Sequence, residues 1–178
     1  MNQDTSVHLR AEIFRRDVDR MIRWMENANV VRYLNEDSNI AHWLRQLNTN
    51  VPEPMLNYHF NQRGPFFMIC HNDQESVGFV RLMPMSIQKA YEIVYVIGEE
   101  ALWGQGLGRR AVRCAQSHAF FHLRAERIVA KIMPHNHRSI RCVRACGFQQ
   151  IEEGEKLHRF EMTASAYLQF LREATPQQ

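Results

Sequence analysis

No run of about 18 apolar residues interrupts the 178-residue chain, so no membrane-spanning helix is expected. The opening residues, MNQDTSVHLR, lack the basic segment and apolar stretch of a secretory leader, which makes a cytoplasmic location the expectation. A dominant charge is missing too: 22 Lys and Arg stand interleaved with 19 Asp and Glu, and the +3 balance supports only a mild preference for anionic ligands. No clustered basic face with interleaved aromatics appears, so neither nucleic acid nor a membrane is an expected partner. Cysteine is scarce. Cys70, Cys114, Cys142 and Cys146 sit inside apolar patterns with no second pair at zinc spacing, and read as reduced structural thiols. His135 and His137 flank Asn136 without a nearby acid or cysteine, so no metal site is expected there.

What remains is an ordinary globular composition, 45% hydrophobic, and a length suited to one domain spanning 1–178. Val7, Leu9, Ala11 and Ile13 alternate with polar residues as in a half-buried strand. Val18, Met21, Ile22 and Met25 follow at helical spacing behind Asp17, a candidate N-cap, and Ile40, Trp43, Leu44 and Leu47 repeat the pattern behind Ser38. Residues 48–65 carry Pro52, Pro54, Gly64 and Pro65 and read as a long loop. Three β-like runs follow, FFMIC at 66–70, SVGFVRLM at 76–83 and YEIVYVI at 91–97, with HNDQ as a turn between the first two. A helix from Gly106, a strand at 127–133, a helix over NHRSIRCVRAC, two strands around FQQIEE and HRFEMT, and a tail helix complete the order. This order makes a mixed α/β or α+β domain without internal repeats.

The loudest motif is LWGQGLGRRAV, residues 102–112. Gly104, Gly106 and Gly108 lie between a strand and a helix, where backbone N–H groups converge on an anion without side chains in the way. The helix N-terminus adds roughly half a positive charge, and Arg109 and Arg110 add more. The alternative is a glycine turn needed only for packing. A Walker loop is excluded because no lysine and Ser/Thr follow Gly108. Gly106, Gly108 and Ala111 match G-x-G-x-x-A, but a dinucleotide site also needs an acid near the end of the next strand, which here closes on Lys131, Ile132 and Met133.

The strand YEIVYVI, the loop GEEALWGQGLGRRAV, the strand RIVAKI and PHNHRSIRCVRACGF resemble the GNAT superfamily of acyl-CoA-dependent N-acetyltransferases. Within it they are most similar to the branch of the ribosomal-protein N-terminal acetyltransferases, where a Trp-Gly pair opens the pyrophosphate loop. The resemblance covers 77–153 and, more loosely, 7–47. It implies a GNAT-like acyl-CoA N-acyltransferase fold with a central mixed, mostly antiparallel sheet flanked by helices. It also implies acetyl-CoA as cosubstrate and an amine acceptor that attacks the thioester directly in a ternary complex, in a monomer or homodimer.

Carried onto this chain, the resemblance puts the pyrophosphate on the loop of Trp103, Gly104, Gln105, Gly106, Leu107, Gly108 and Arg109, and pantetheine beside the backbone of Val96 and Ile97. The Ile97 N–H is the implied donor to the thioester carbonyl. Trp103 stands where the wider superfamily has glutamine or arginine, which removes one polar contact. Asn136 matches the residue that holds the pantetheine arm, and also suits an N-cap. Arg138, Arg141 and Arg144 read as a solvated face, with Arg141 the candidate contact for the 3′-phosphate.

Acetyl transfer requires the amine to lose a proton and the departing sulfur to gain one. Glu92 is the candidate base, acting through water, and Ser139 the candidate donor to the leaving sulfur; solvent-facing and helix-capping roles are the alternatives. The tyrosine that many superfamily members carry on the helix after NHRS is absent. Trp24, Tyr33, Trp43, Tyr58 and His59 are the expected acceptor pocket, with Glu36 and Asp37 as acids suited to a cationic amine. A non-catalytic acyl-CoA sensor is the alternative function.

Overall fold

Val7 and Leu9 point the apolar side of an edge strand, β1 (Val7–Arg10), inward, and the strand stops before Ala11 and Ile13, which the alternation had included. The computed structural model describes residues 6–34, 39–72 and 75–174. The helix that follows, α1 (Arg15–Glu26), buries Val18, Met21, Trp24 and Met25 on one stripe. Asp17 is not its cap. Phe14 holds the N-cap position, and Asp17, one turn inside, reaches back to accept the Phe14 N–H at 2.8 Å. The same buried carboxylate accepts two bonds from Arg10, at 2.8 and 3.0 Å, and one from the Ser76 hydroxyl at 2.7 Å. An apparent capping residue therefore ties β1 and α1 to the sheet.

A one-turn helix, α2 (Ala28–Val31), capped by the Asn27 side chain, precedes α3 (Ile40–Asn50). Ser38, the expected cap of α3, lies outside the described residues, as do Glu36, Asp37 and the Asp73–Gln74 half of the expected turn. The segment 48–65 is not a plain loop. Leu56 and Phe60, four apart and both buried, fold α4 (Leu56–Asn61) against the core despite the two flanking prolines.

Strands β2 (Phe66–His71), β3 (Glu75–Pro84), β4 (Ala90–Ile97), β5 (Arg127–Ile132), β6 (Gln149–Glu153) and β7 (His158–Thr163) join β1 in a seven-stranded sheet ordered β1-β2-β3-β4-β5-β7-β6. Every pairing is antiparallel except β4 with β5. Val77 is an extra residue on β3, since Ile69 faces Gly78 and Cys70 faces Ser76. Helix α5 (Leu107–Ser117) runs into a π turn over His118–His122, and α6 (His137–Ala145) and α7 (Ala164–Ala174) follow. Phe66, Met68, Phe79 and Val96 pack with α1 to α4 in one core layer. Phe67, Val80, Leu82, Ile93, Ile128 and Ala130 pack with α5, α6 and α7 in the other. No described helix is long and apolar enough to cross a membrane.

One irregularity of the sheet positions the site. β4 pairs with β5 only at Ala90↔Arg127, Tyr91↔Ile128 and Glu92↔Val129. Beyond that point β4 stays on β3 as far as Ile97, while β5 stays on β7 as far as Ile132, so the two strands part company.

Candidate active site

The parting strands open a cleft of about 460 Å³ between the C-terminal half of β4, the starts of α5 and α6, and the end of α2. The register fixes which backbone groups face it. Gly98 N–H donates to Val77 O at 2.8 Å, so by the alternation of an antiparallel ladder Val96 also turns its peptide groups toward β3, and Tyr95 and Ile97 turn theirs toward the cleft. Val96 is among the lining residues, although it is buried in the core layer of α1 to α4. Ile97 is partly engaged, because the Trp103 indole donates to its carbonyl at 2.7 Å.

Gly104 and Gly106 both sit in the left-handed region, with φ of +82° and +81°. A Cβ on Gly104 would meet nothing within 4 Å, and one on Gly106 would meet only the Arg109 guanidinium, at 3.6 Å. These glycines are therefore conformational, and the space above them is open. Gly106 caps α5 without a side chain, and the first intrahelical bond is Arg110 N–H to Gly106 O at 3.1 Å. The N–H groups of Leu107, Gly108 and Arg109 thus have no partner within the helix and point out of its positive end. Gly108 differs: its Cβ would make ordinary contacts with Tyr95, Cys142 and Ile97 at 3.5–3.8 Å.

Across the cleft, the Asn136 side chain accepts the Ser139 N–H at 3.1 Å and so caps α6. Arg138 and Arg141 both line the cleft, whereas Arg144 turns away to Gln150 at 2.6 Å. All three arginines are exposed, as a solvated face requires, and the Arg138 guanidinium in addition lies 3.8 Å over the Trp103 ring. Arg109, Arg138 and Arg141, with the N-terminus of α5, give the cleft a positively charged lining. Tyr95 reaches from β4 to α6, and its hydroxyl lies 2.7 Å from the Ser139 hydroxyl. Burial pushes the Tyr95 phenol well above its usual range, with a further push from Cys142. Cys142, expected as a structural thiol, is free and packs against the core, and it also lines the cleft. Its thiol is held below the usual range, chiefly by hydrogen bonding to Cys146 and then to Tyr95, while Cys146 is pushed up.

Of the expected site residues, Val96, Ile97, Trp103, Gly104, Gly106, Leu107, Gly108, Arg109, Asn136, Ser139 and Arg141 all line this cleft. Gln105 does not; its amide turns back to Ala101 O at 3.1 Å. Glu92 lies outside the lining as well, ion-paired to Lys131 at 2.6 Å in the paired part of the sheet. It shares a strand face with Val96, four residues or about 13 Å away. Of the expected acceptor-pocket aromatics only Tyr33 lines the cleft, beside Asn29, Val30 and Leu34. Trp24 is buried with its indole on Glu99 at 2.9 Å, and Trp43 packs edge-on against Phe60. No carboxylate or imidazole lines the cleft among the described residues.

Residues 8–149 match the family model of the acetyltransferase (GNAT) domain. The chain belongs to the GNAT acetyltransferase family. Among solved structures, this acetyltransferase is similar to the spermidine N-acetyltransferase from Vibrio cholerae in complex with CoA and spermine, with 19% identity, a TM-score of 0.73, and coverage of 94% of this chain and 99% of that one. An aminoglycoside acetyltransferase in complex with coenzyme A and kanamycin matches with 17% identity and a TM-score of 0.73, over 96% of this chain and 100% of that one. A GNAT-family acetyltransferase from Bacillus anthracis matches with 15% identity and a TM-score of 0.72, over 89% and 95%. At such identities the likeness is one of fold. No curated protein sequence matches the chain.

Proposed function

We propose that this acetyltransferase binds acetyl-CoA in the cleft between β4 and β5 and transfers the acetyl group to a primary amine entering past Tyr33 and Leu34. The observation that carries the reading is the conjunction of an interrupted β4–β5 ladder with an uncapped α5 N-terminus at one end of the gap. The pyrophosphate rests on the N–H groups of Leu107, Gly108 and Arg109, and Arg141 and Arg138 face the remaining phosphate charge. Pantetheine supplies β4 with the neighbour that β5 no longer provides, through the peptide groups of Tyr95 and the N–H of Ile97. Backbone donors on a developing oxyanion are worth about 3 kcal/mol each in related chemistry.

Ser139, at the head of α6, gives the departing sulfur its proton. Glu92 takes the amine's proton through a file of water, since its carboxylate stands back from the lining. Free amines of polyamine, aminoglycoside or peptide N-terminal type are the acceptor class; the solved relatives above hold spermine and kanamycin. The bare cleft lining, without acid or imidazole among the described residues, favours a second reading, an acyl-CoA sensor that does not turn over.

Thiol release from acetyl-CoA with spermine, kanamycin and a short peptide bearing a free N-terminus separates the two. Turnover with any of them supports transfer, and CoA binding without release across the panel supports the sensor. CoA should also raise the melting temperature, by an amount equivalent to about 2.7 kcal/mol at a hundredfold excess over Kd, while NAD should leave it unchanged.

A further inference from the structure

We propose that Lys131 is a self-acetylation site: held on the candidate base Glu92 at the flank of the cleft, its ε-amine takes an acetyl group from acetyl-CoA bound to the same chain. This inference rests on the acetyl-transfer reading above and adds an acceptor that the chain itself carries.

Only three of the 22 Lys and Arg residues are lysines, Lys89, Lys131 and Lys156. The cations that line the cleft, Arg109, Arg138 and Arg141, are all arginines. A guanidinium stays protonated and offers a thioester no lone pair, whereas a lysine amine becomes a nucleophile once a base removes one proton. The three lysines differ in what stands beside them. Lys89 precedes β4 at the closed corner of the sheet, with Glu126 at 3.3 Å. Lys156 is exposed in the turn between β6 and β7. Lys131 Nζ lies 2.6 Å from Glu92 Oε2, the carboxylate that the transfer reading makes the proton acceptor.

The sheet register puts this pair at the fork. Glu92 faces Val129 on the last rung that β4 and β5 share, and Lys131 follows two residues later, where β5 keeps β7 on one side and has the gap on the other. Two residues along a strand return a side chain to the same face, so Lys131 projects from the side of the sheet that carries Glu92 and Val96. The lysine side chain is 35% exposed and the carboxylate 20%, and an ion pair open to water on this scale holds its lysine weakly. The four-carbon stem is thus free to swing from Glu92 toward the gap.

In the step itself Glu92 takes a proton from the Lys131 ammonium directly, without the file of water that an outside amine needs. The freed lone pair attacks the thioester carbonyl carbon, the C–N bond forms, and the C–S bond breaks with its electron pair going to sulfur. As nitrogen becomes an amide it sheds a second proton, which replaces through solvent the one that Ser139 gives to sulfur. Glu92 then releases its own to solvent, so acetyl-CoA and one ammonium become CoA, one amide and one proton. Amine and bound thioester belong to one complex, so the step gains the effective concentration of an intramolecular reaction.

Wild-type protein incubated with acetyl-CoA alone, without any added amine, tests the assignment by intact mass and peptide mapping. Lys131 should gain an acetyl group about tenfold or more faster than Lys89 or Lys156, with a rate constant that stays unchanged on dilution of the protein under saturating acetyl-CoA. Glu92→Gln should slow the modification about a hundredfold, the loss typical of a base in direct contact, and excess CoA should suppress it. Lys131→Arg, which keeps the cation, should leave that position unmodified. Equal rates at all three lysines, labelling that neither excess CoA nor Glu92→Gln slows, or a rate constant that rises with protein concentration would each overturn the proposal. A wild type that acetylates spermine, kanamycin or the peptide while Lys131 stays unmodified overturns this inference alone. A wild type that binds CoA and acetylates neither an added amine nor itself overturns the transfer reading as well.

Discussion

The Arg138 guanidinium stacks 3.8 Å over the Trp103 ring, which joins the start of α6 to the glycine loop before α5 across the cleft that both residues line. Trp103 also donates to Ile97 O, so one indole fixes the end of β4 and carries a cation. Arg138→Ala should weaken CoA by about three- to tenfold, the range expected for losing a stacked cation near phosphate. Calorimetry in low salt checks this, and unchanged affinity would place Arg138 outside the binding machinery. CoA should also alter tryptophan emission, and Trp103→Phe should remove that response.

Gly106 and Gly108 should respond differently to added side chains. Gly106→Val forces a β-branched residue into φ of +81° and fills the open space over the α5 N-terminus, so CoA binding should vanish at a cost of about 1–2 kcal/mol in stability. Gly108→Ala places a methyl at ordinary contact distance from Tyr95, and should fold normally, gain about 0.5–1 kcal/mol, and keep CoA within a few-fold. Equal loss of binding in both would mean that the anion sits over Gly108 instead.

Cys142 should be the first thiol to react. Hydrogen bonding to Cys146 and Tyr95 and the nearby Arg109 hold it below the ordinary range of about 8.5, whereas burial pushes Cys114 up and Cys70 and Cys146 are buried. Its alkylation should therefore begin at lower pH than that of a free cysteine, disappear in Cys142→Ala, and be slowed by saturating CoA. Faster labelling of Cys114, or no protection by CoA, would contradict the placement of Cys142 in the cleft.

Glu92→Gln should lower kcat while leaving CoA affinity intact, since the carboxylate stands about 13 Å along β4 from Val96 and reaches the amine only through water. The loss should be nearer tenfold than the hundredfold of a base in direct contact. If kcat is unchanged, solvent alone takes the amine's proton, and the enzyme works mainly by holding two substrates together.

The glycine loop before α5 was legible because its requirement is local: positive φ at a helix start leaves glycine as the residue of choice. Asn136 was legible for the same reason, one side chain capping its own helix. The contacts of Arg138 and Tyr95 were hidden because each depends on a partner 35 or 44 residues away, set by sheet register and not by spacing. Asp17 misled in the opposite sense. An acid before an apolar stripe reads as a cap, and only the folded core shows Arg10 and Ser76 converging on it. The prolines at 52 and 54 likewise masked α4, whose two buried anchors are too few to register as a period.

The three-residue ladder between β4 and β5 gives the sheet a mechanical character. It behaves as two panels, β1–β4 and β5–β7-β6, sewn together by strand pairing at one corner only. A ligand lying in the open seam is then a removable stitch. On the proposed reading, each round of catalysis inserts and withdraws it, and the panels separate at the Ile97 end while the Ala90 corner stays closed. Amide hydrogen exchange should record this as slow exchange at Ala90–Glu92 with or without CoA, and as protection of Tyr95 and Ile97 that comes and goes with the ligand.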